Sequence, residues 1–272
     1  GCQKEHCKIA WHNPSKAHLV SSLAIIDVAE QKVFLVDATP DIRKQIWMIQ
    51  TDPNLSNRQG VNPIDGIFLT HAHMGHYTGL MHLGFESMAT KEVPVYCTQK
   101  MANFLKSNAP WSQLVHLKNI RLNPVNYDQK MQITANITIT AFPVPHRHEF
   151  TDTVGYLIEG QQRKLLYIPD IDHWREWPRS LPELLKQVDF ALLDGTFYSP
   201  EELPHRDLSK IKHPLITETM QLLKDFVRQN STKIYFIHLN HTNLIFDADG
   251  EKRQEVERRG FYIARENLEF WL

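Results

Sequence analysis

The chain has 272 residues, 42% of them hydrophobic and 22% charged, with a formal net charge of −1 at pH 7. That length and balance suit one large globular domain and exclude a chain too polar to bury a core. The near-neutral charge excludes nucleic-acid binding driven by bulk charge, and no stretch reaches the roughly 20 apolar residues that cross a bilayer. No signal peptide is visible, and compartment and oligomeric state stay open. The three cysteines are Cys2, Cys7 and Cys97. Cys97 reads as a buried strand residue. Cys2 and Cys7 read as a disulfide pair, two free thiols, or part of a structural zinc site with His6 or His12.

Residues 19–27 and 32–37 read as the strands of a hairpin, rich in Val, Ile, Leu and Phe. Helical spacing follows over 41–51, after Pro40. Residues 64–70 form an apolar strand, 79–88 a helix, 93–96 a short strand and 100–107 a helix. Residues 133–143 alternate Ile and Thr, the period of a half-exposed strand. Further apolar strands are expected over 153–159, 164–168, 190–194 and 233–238, and an amphipathic helix over 215–228. There is no repeat, low-complexity tract or linker, so 1–272 reads as a single domain. Many strands with interspersed helices suit two packed sheets with helices outside them.

The chemistry concentrates where the strand over 64–70 ends: Thr70-His71-Ala-His73-Met-Gly75-His76. Three imidazoles in one tight loop between strand and helix can turn toward a common point, and neutral imidazole ligates zinc, iron and manganese. The segment resembles the His-x-His-x-Asp-His signature of the metallo-β-lactamase-fold hydrolases, with Gly75 where that family has Asp. The resemblance implies a four-layer αββα sandwich of mixed sheets with helices on both outer faces. It also implies further ligands at other strand ends. His146, closing the alternating strand in Pro143-Val-Pro-His146, takes the position of the third ligand. Asp170, after Tyr167-Ile-Pro, takes the position of the carboxylate that bridges two metals. His238, ending the strand over 233–238, takes the position of the last ligand. Asp172 either replaces the carboxylate missing at Gly75 or caps a turn. His148 is the near-neighbour alternative to His146 but reads more readily as a pocket or surface residue, and His241, past the turn, reads as lining the pocket.

Two segments resemble the transfer-RNA 3′-processing endonucleases and related phosphodiesterases: Asp194-Gly-Thr196-Phe197, and Lys212-His213 opening a helix. There the carboxylate orients the histidine, which protonates the leaving oxygen, so Asp194 and His213 are the candidate catalytic pair. Over essentially the whole chain, Asp37-Ala-Thr-Pro-Asp41-Ile-Arg43, Ile168-Pro-Asp-Ile-Asp172, Leu193-Asp-Gly-Thr-Phe-Tyr198 and His238-Leu-Asn-His-Thr-Asn243 resemble the pyrroloquinoline-quinone biosynthesis B family. In those relatives a strand precedes the segment matching Gly1-Cys2, so the first strand of the fold is expected to be missing here.

The expected activity is metal-dependent hydrolysis of an ester-type small-molecule substrate, a class that includes phosphodiesters. One or two zinc ions are expected, with iron or manganese as substitutes, and the second site weakened by Gly75. Two rivals stand: an oxygen-using iron enzyme tied to quinone cofactor biosynthesis, and a non-catalytic metal-binding protein. Nothing supports nucleic acid as a partner.

Overall fold

The computed structural model describes residues 2–204, 207, 210–247 and 249–272. Contacts divide the chain into two compact units. One holds Val20–Pro143 and His148–Val154, and the other holds the remaining described residues. No helix among the described residues is long and apolar enough to cross a membrane.

The first unit is built on a five-stranded sheet of β1 (Leu23–Asp27), β2 (Lys32–Val36), β3 (Gly66–Phe68), β4 (Val93–Cys97) and β5 (Ile120–Pro124), in that order. β1 and β2 are antiparallel, as a short hairpin turn requires, and the remaining pairs are parallel. Parallel neighbours need crossovers, which include the helices Ile42–Gln50 and Gln99–Ser107. Ile42, Ile46 and Ile49 recur at helical spacing and are buried, so that helix seals one side of the sheet. The central strand β3 is buried at every position, which explains its unbroken apolar run. A further antiparallel pair, β6 (Lys130–Gln132) and β7 (Thr138–Val144), sets Lys130 against Thr140.

The turn after β2 is clamped onto the histidine loop. Ala38 N donates to His76 O at 2.8 Å, and Gly79 N donates to Ala38 O at 2.9 Å. A Cβ on Gly79 would lie 2.0 Å from Thr39 O, so only glycine permits this approach. The expected helix over 79–88 is corrected: a short α-helix runs Met74–Tyr77 and passes into a 3-10 helix, Thr78–Leu83. The helix therefore begins directly after His73, with His76 inside it.

In the second unit β8 (Thr153–Glu159, from Gly155 on), β9 (Lys164–Ile168), β10 (Phe190–Asp194), β11 (Lys233–Ile237) and β12 (Tyr262–Ile263) are neighbours in that order. β8 and β9 are antiparallel, and the rest are parallel. The expected helix over 215–228 is two helices, Ile216–Leu222 and Lys224–Gln229, separated at Leu223. His213 lies three residues ahead of the first of them rather than opening it. β11 stops at Ile237, and His238 turns out of the strand with φ of 62°.

Candidate metal centre

In the first unit, Asp37 and Thr70 end β2 and the β3 segment and organise two imidazoles. Asp37 is fully buried. Its Oδ1 accepts from Thr70 N at 2.8 Å and Thr70 Oγ1 at 2.9 Å, and its Oδ2 accepts from His76 Nδ1 at 2.7 Å. Because the carboxylate can only accept, the single hydroxyl proton of Thr70 goes to Asp37. Thr70 Oγ1 must then accept from His71 Nδ1, 2.9 Å away. Both rings are thereby assigned as Nδ1–H, which puts the lone pair on Nε2.

His73 is held the other way round. Its Nε2 donates to Glu149 Oε2 at 3.2 Å, so its lone pair is on Nδ1. That Nδ1 lies 2.8 Å from His71 Nε2. Two lone pairs facing each other at this distance repel unless a cation, an extra proton or a metal ion, sits with them. This is the donor arrangement of an imidazole metal site, in which a partner on one ring nitrogen selects the other as ligand. Gly75 contributes no donor, and a Cβ there would meet only Val20 Cγ1, at 3.8 Å.

The second unit repeats the device. Asp194, the fully buried last residue of β10, accepts from Thr196 Oγ1 at 2.7 Å through Oδ1. Its Oδ2 accepts from Ile171 N at 3.1 Å and His213 Nδ1 at 2.9 Å. Thr196 Oγ1, its proton spent on Asp194, accepts from His238 Nδ1 at 3.0 Å. Asn243 holds this turn by donating to the carbonyls of Gly195 (2.8 Å) and Thr196 (3.1 Å). His146 Nδ1 donates to Asp172 Oδ1 at 3.0 Å. His146 and His238 therefore also present Nε2, and these atoms lie 3.8 and 3.4 Å from Asp170 oxygens. His146, Asp170 and His213 bring one donor atom each within 4.8 Å of one another. Asp172 is thus placed as the tether of His146, with Lys212 Nζ 3.7 Å from its other oxygen. Burial pushes the Asp172 carboxyl up, but the His146 hydrogen bond and the neighbouring cations carry the net shift below its ordinary value.

His213 faces two carboxylates, Asp194 and, at 3.5 Å, Asp170. Burial disfavours the charged ring, but these carboxylates outweigh it and raise its pKa above the ordinary histidine value. The ring therefore keeps its proton to higher pH than a free imidazole would.

Three cysteine thiols are free. Cys97 is wholly buried, and burial pushes its pKa up to about 12, so it is an inert core thiol. Of the three readings of Cys2 and Cys7, the structure has free thiols, and they gather with His241 rather than with His6 or His12. Cys7 Sγ lies 3.3 Å from His241 Nδ1, whereas His12 Nδ1 bonds Lys8 O and His6 packs on Phe246. Their separation by over 230 residues hid this pairing from the sequence.

Asp37, Thr70, Thr196 and Glu149 were not singled out as site residues from the sequence. Asp37 is marked in the sequence only by the family resemblance of its segment, and a lone Thr or Glu in a loop carries no spacing signal.

The model of the β-lactamase superfamily domain matches residues 32–239, and the chain belongs to that superfamily. Its fold is the metallo-β-lactamase type that the histidine motif implies. Among proteins, it is 25% identical over 289 residues to coenzyme PQQ synthesis protein B of Methylobacterium sp. (strain 4-46), covering 98% of this chain and 93% of that one. Among solved structures, zinc-bound PqqB from Methylobacterium extorquens has the same fold at TM-score 0.82 and 23% identity, covering 100% of this chain and 94% of that one. A diphosphatase from the PhnP family matches at TM-score 0.66 and 20% identity, over 98% of this chain and 89% of that one. The chain is thus a PqqB-like member of that superfamily, with a diphosphatase among its structural neighbours.

Proposed function

We propose that the chain is a metal-dependent hydrolase acting on an ester-type small-molecule substrate, working as a single metallo-β-lactamase-like domain. His71, His73 and His146, with Asp170 bridging, are the proposed ligands of a first ion, and His76, His238 and Asp170 those of a second. The observation that carries this reading is the pair of lone-pair nitrogens 2.8 Å apart on His71 and His73, each fixed by a partner on its opposite nitrogen. The same logic at His76, His146 and His238 supports the wider set. Histidine and carboxylate donors suit zinc first, with iron and manganese also accepted. The relative crystallised with zinc is consistent with that choice.

A bound zinc would supply Lewis-acid polarisation and lower the pKa of a water toward about 7. The protein's own share is orientation and proton handling. Asp37, Thr70, Asp172 and Thr196 fix ring rotation and tautomer, so the ligand nitrogens need no reorganisation. His213, its Nδ1–H held by Asp194, is the proposed proton donor: the proton on its Nε2 would go to a leaving oxygen, while the one on Nδ1 stays with Asp194.

The test is a substrate panel on protein of measured metal content. Turnover of a chromogenic phosphodiester that rises with zinc and is lost in His71→Ala is expected. A zinc-loaded protein inactive on every ester would overturn the hydrolase reading. The absence of a carboxylate at Gly75 also favours a second reading, an iron enzyme with an open coordination position for oxygen. Oxygen uptake by the iron-loaded protein, without hydrolysis, would select it. Tight metal binding with neither activity would leave a metal-binding protein.

A further inference from the structure

We propose that Glu149 is a positioning residue that selects which nitrogen of His73 faces the metal, and that its loop is anchored for this purpose. The proposal rests on the metal reading of the histidine loop.

His71, His76, His146 and His238 are all tied at Nδ1, by Thr70, Asp37, Asp172 and Thr196, and so offer Nε2. His73 is the exception, tied at Nε2 by Glu149. Its position explains the exception. His73 precedes the helix Met74–Tyr77 as its N-cap residue and sits two residues from His71. The near nitrogen of its ring, Nδ1, is the one that reaches His71 Nε2. An imidazole with its proton on Nδ1 would present N–H to that point and could not ligate there. An acceptor at the far end of the ring holds the proton on Nε2 and fixes the ring's orientation, and Glu149 Oε2 is the acceptor found there.

The short segment carrying Glu149 is fixed immediately after it, over residues 150–154. Ala72 N, between the two histidines, donates to Thr151 Oγ1 at 3.1 Å. Val154 N donates to Thr70 O at 3.1 Å. Between these anchors Asp152 accepts from Thr98 Oγ1 and Tyr127 Oη. The residue after Glu149, Phe150, packs its ring 5.8 Å from that of Phe104. A glutamate with a nearly half-exposed side chain is a poor tether on a loose loop, because ordering it costs rotamer entropy. On a segment pinned through Thr151 to the backbone of the histidine loop itself, most of that search is already removed.

Two readouts test this, one without metal. In the metal-free protein, 15N–1H correlation of the imidazoles should show His73 as the Nε2–H tautomer, and Glu149→Ala should shift it toward Nδ1–H. Zinc affinity by chelator competition should fall about 10- to 100-fold in Glu149→Ala, the usual effect of removing a partner of a ligating histidine. Glu149→Gln, whose amide oxygen can still accept, should recover most of that loss, and His148→Ala, an exposed neighbour, should leave affinity unchanged. A wild-type protein with His73 already protonated on Nδ1 overturns the proposal. So does equal zinc affinity in wild type and Glu149→Ala. If the wild type binds no zinc at all, the metal reading fails, while the tautomer measurement still decides what Glu149 does. A circular-dichroism melt of each variant separates a local effect from unfolding, and a Glu149→Ala loss that Glu149→Gln does not restore also counts against it.

Discussion

The Asp37–Thr70 pair and the Asp194–Thr196 pair use the same three groups to different ends. In each, a fully buried aspartate at a strand end takes the threonine hydroxyl proton and holds an imidazole, and the threonine oxygen then accepts from a second imidazole. In the first unit both rings, His71 and His76, are buried and both are proposed metal ligands. In the second, His238 is the proposed ligand while His213 is held by two carboxylates that favour its proton. One arrangement of aspartate and threonine can therefore either prepare lone pairs for a cation or store a proton, depending on what else faces the ring. At His71 the neighbour is another lone pair, and at His213 it is a second carboxylate.

The largest expected difference follows from that division. His213→Ala should lower turnover about 10²–10⁴-fold on substrates with poor leaving groups while leaving metal content intact. With nitrophenolate, which needs little protonation, the defect should shrink. Equal loss on both substrates, or loss of metal, would mean that both pairs serve metal binding alone.

Next are the threonines. Thr70→Val leaves the buried His71 Nδ1–H without its acceptor and should weaken zinc binding about 10- to 100-fold. Thr196→Val should weaken it less, because the His238 side chain is 21% exposed and can turn to water for a partner. Titration of both variants against a chromogenic chelator ranks them, and the reverse ranking would break the parallel.

Gly75→Asp probes the missing carboxylate. Space is available, since a Cβ there meets only Val20 Cγ1 at 3.8 Å. The wild type should hold its first ion more fully than its second. The variant should tighten the weaker ion by roughly tenfold, the scale on which ligand charge tunes metal affinity. Elemental analysis after graded chelation measures it, and an unchanged stoichiometry would show that this position does not face the second ion.

An exposed carboxylate–imidazole pair marks the weak limit of the same interaction. His18 Nδ1 lies 3.1 Å from Glu266 Oε2, and Leu19 N also donates to that carboxylate. The His18 hydrogen bond, opposed by burial, lowers Glu266 to about 2 from 4.5 and raises His18 above 6.5. The glutamate's contribution to stability is present above about 4.5 and lost as pH falls through about 2. The histidine's is complete below about 6.5 and lost as pH rises through its raised value. Glu266→Gln should therefore cost most between those limits, and under about 1 kcal/mol, because the pair is half in solvent. Urea melts across pH 3–9 would show the dependence, and a flat difference would remove the pair from the account.

Short-range pattern was enough to read most strands, because their apolar runs are continuous wherever a strand is buried on both faces, as in β3 and β10. It also singled out the three clustered histidines and the departure at Gly75, which are local in sequence. His146, Asp170, Asp194, His213 and His238 came from resemblance, since each stands alone in its segment. The helix break at Leu223 and the early helix start after His73 were not readable. The close approach of Gly79 to Thr39, a contact between distant segments, goes with the early start and is invisible to local propensity. The tautomers were decided only in three dimensions. The protons on His71, His73, His76, His146 and His238 depend on Thr70, Glu149, Asp37, Asp172 and Thr196, brought within hydrogen-bond range by strand ends as much as 76 residues apart. Residue type supplies an imidazole, but which of its nitrogens can bind a cation is settled by an acceptor on the opposite side of the ring.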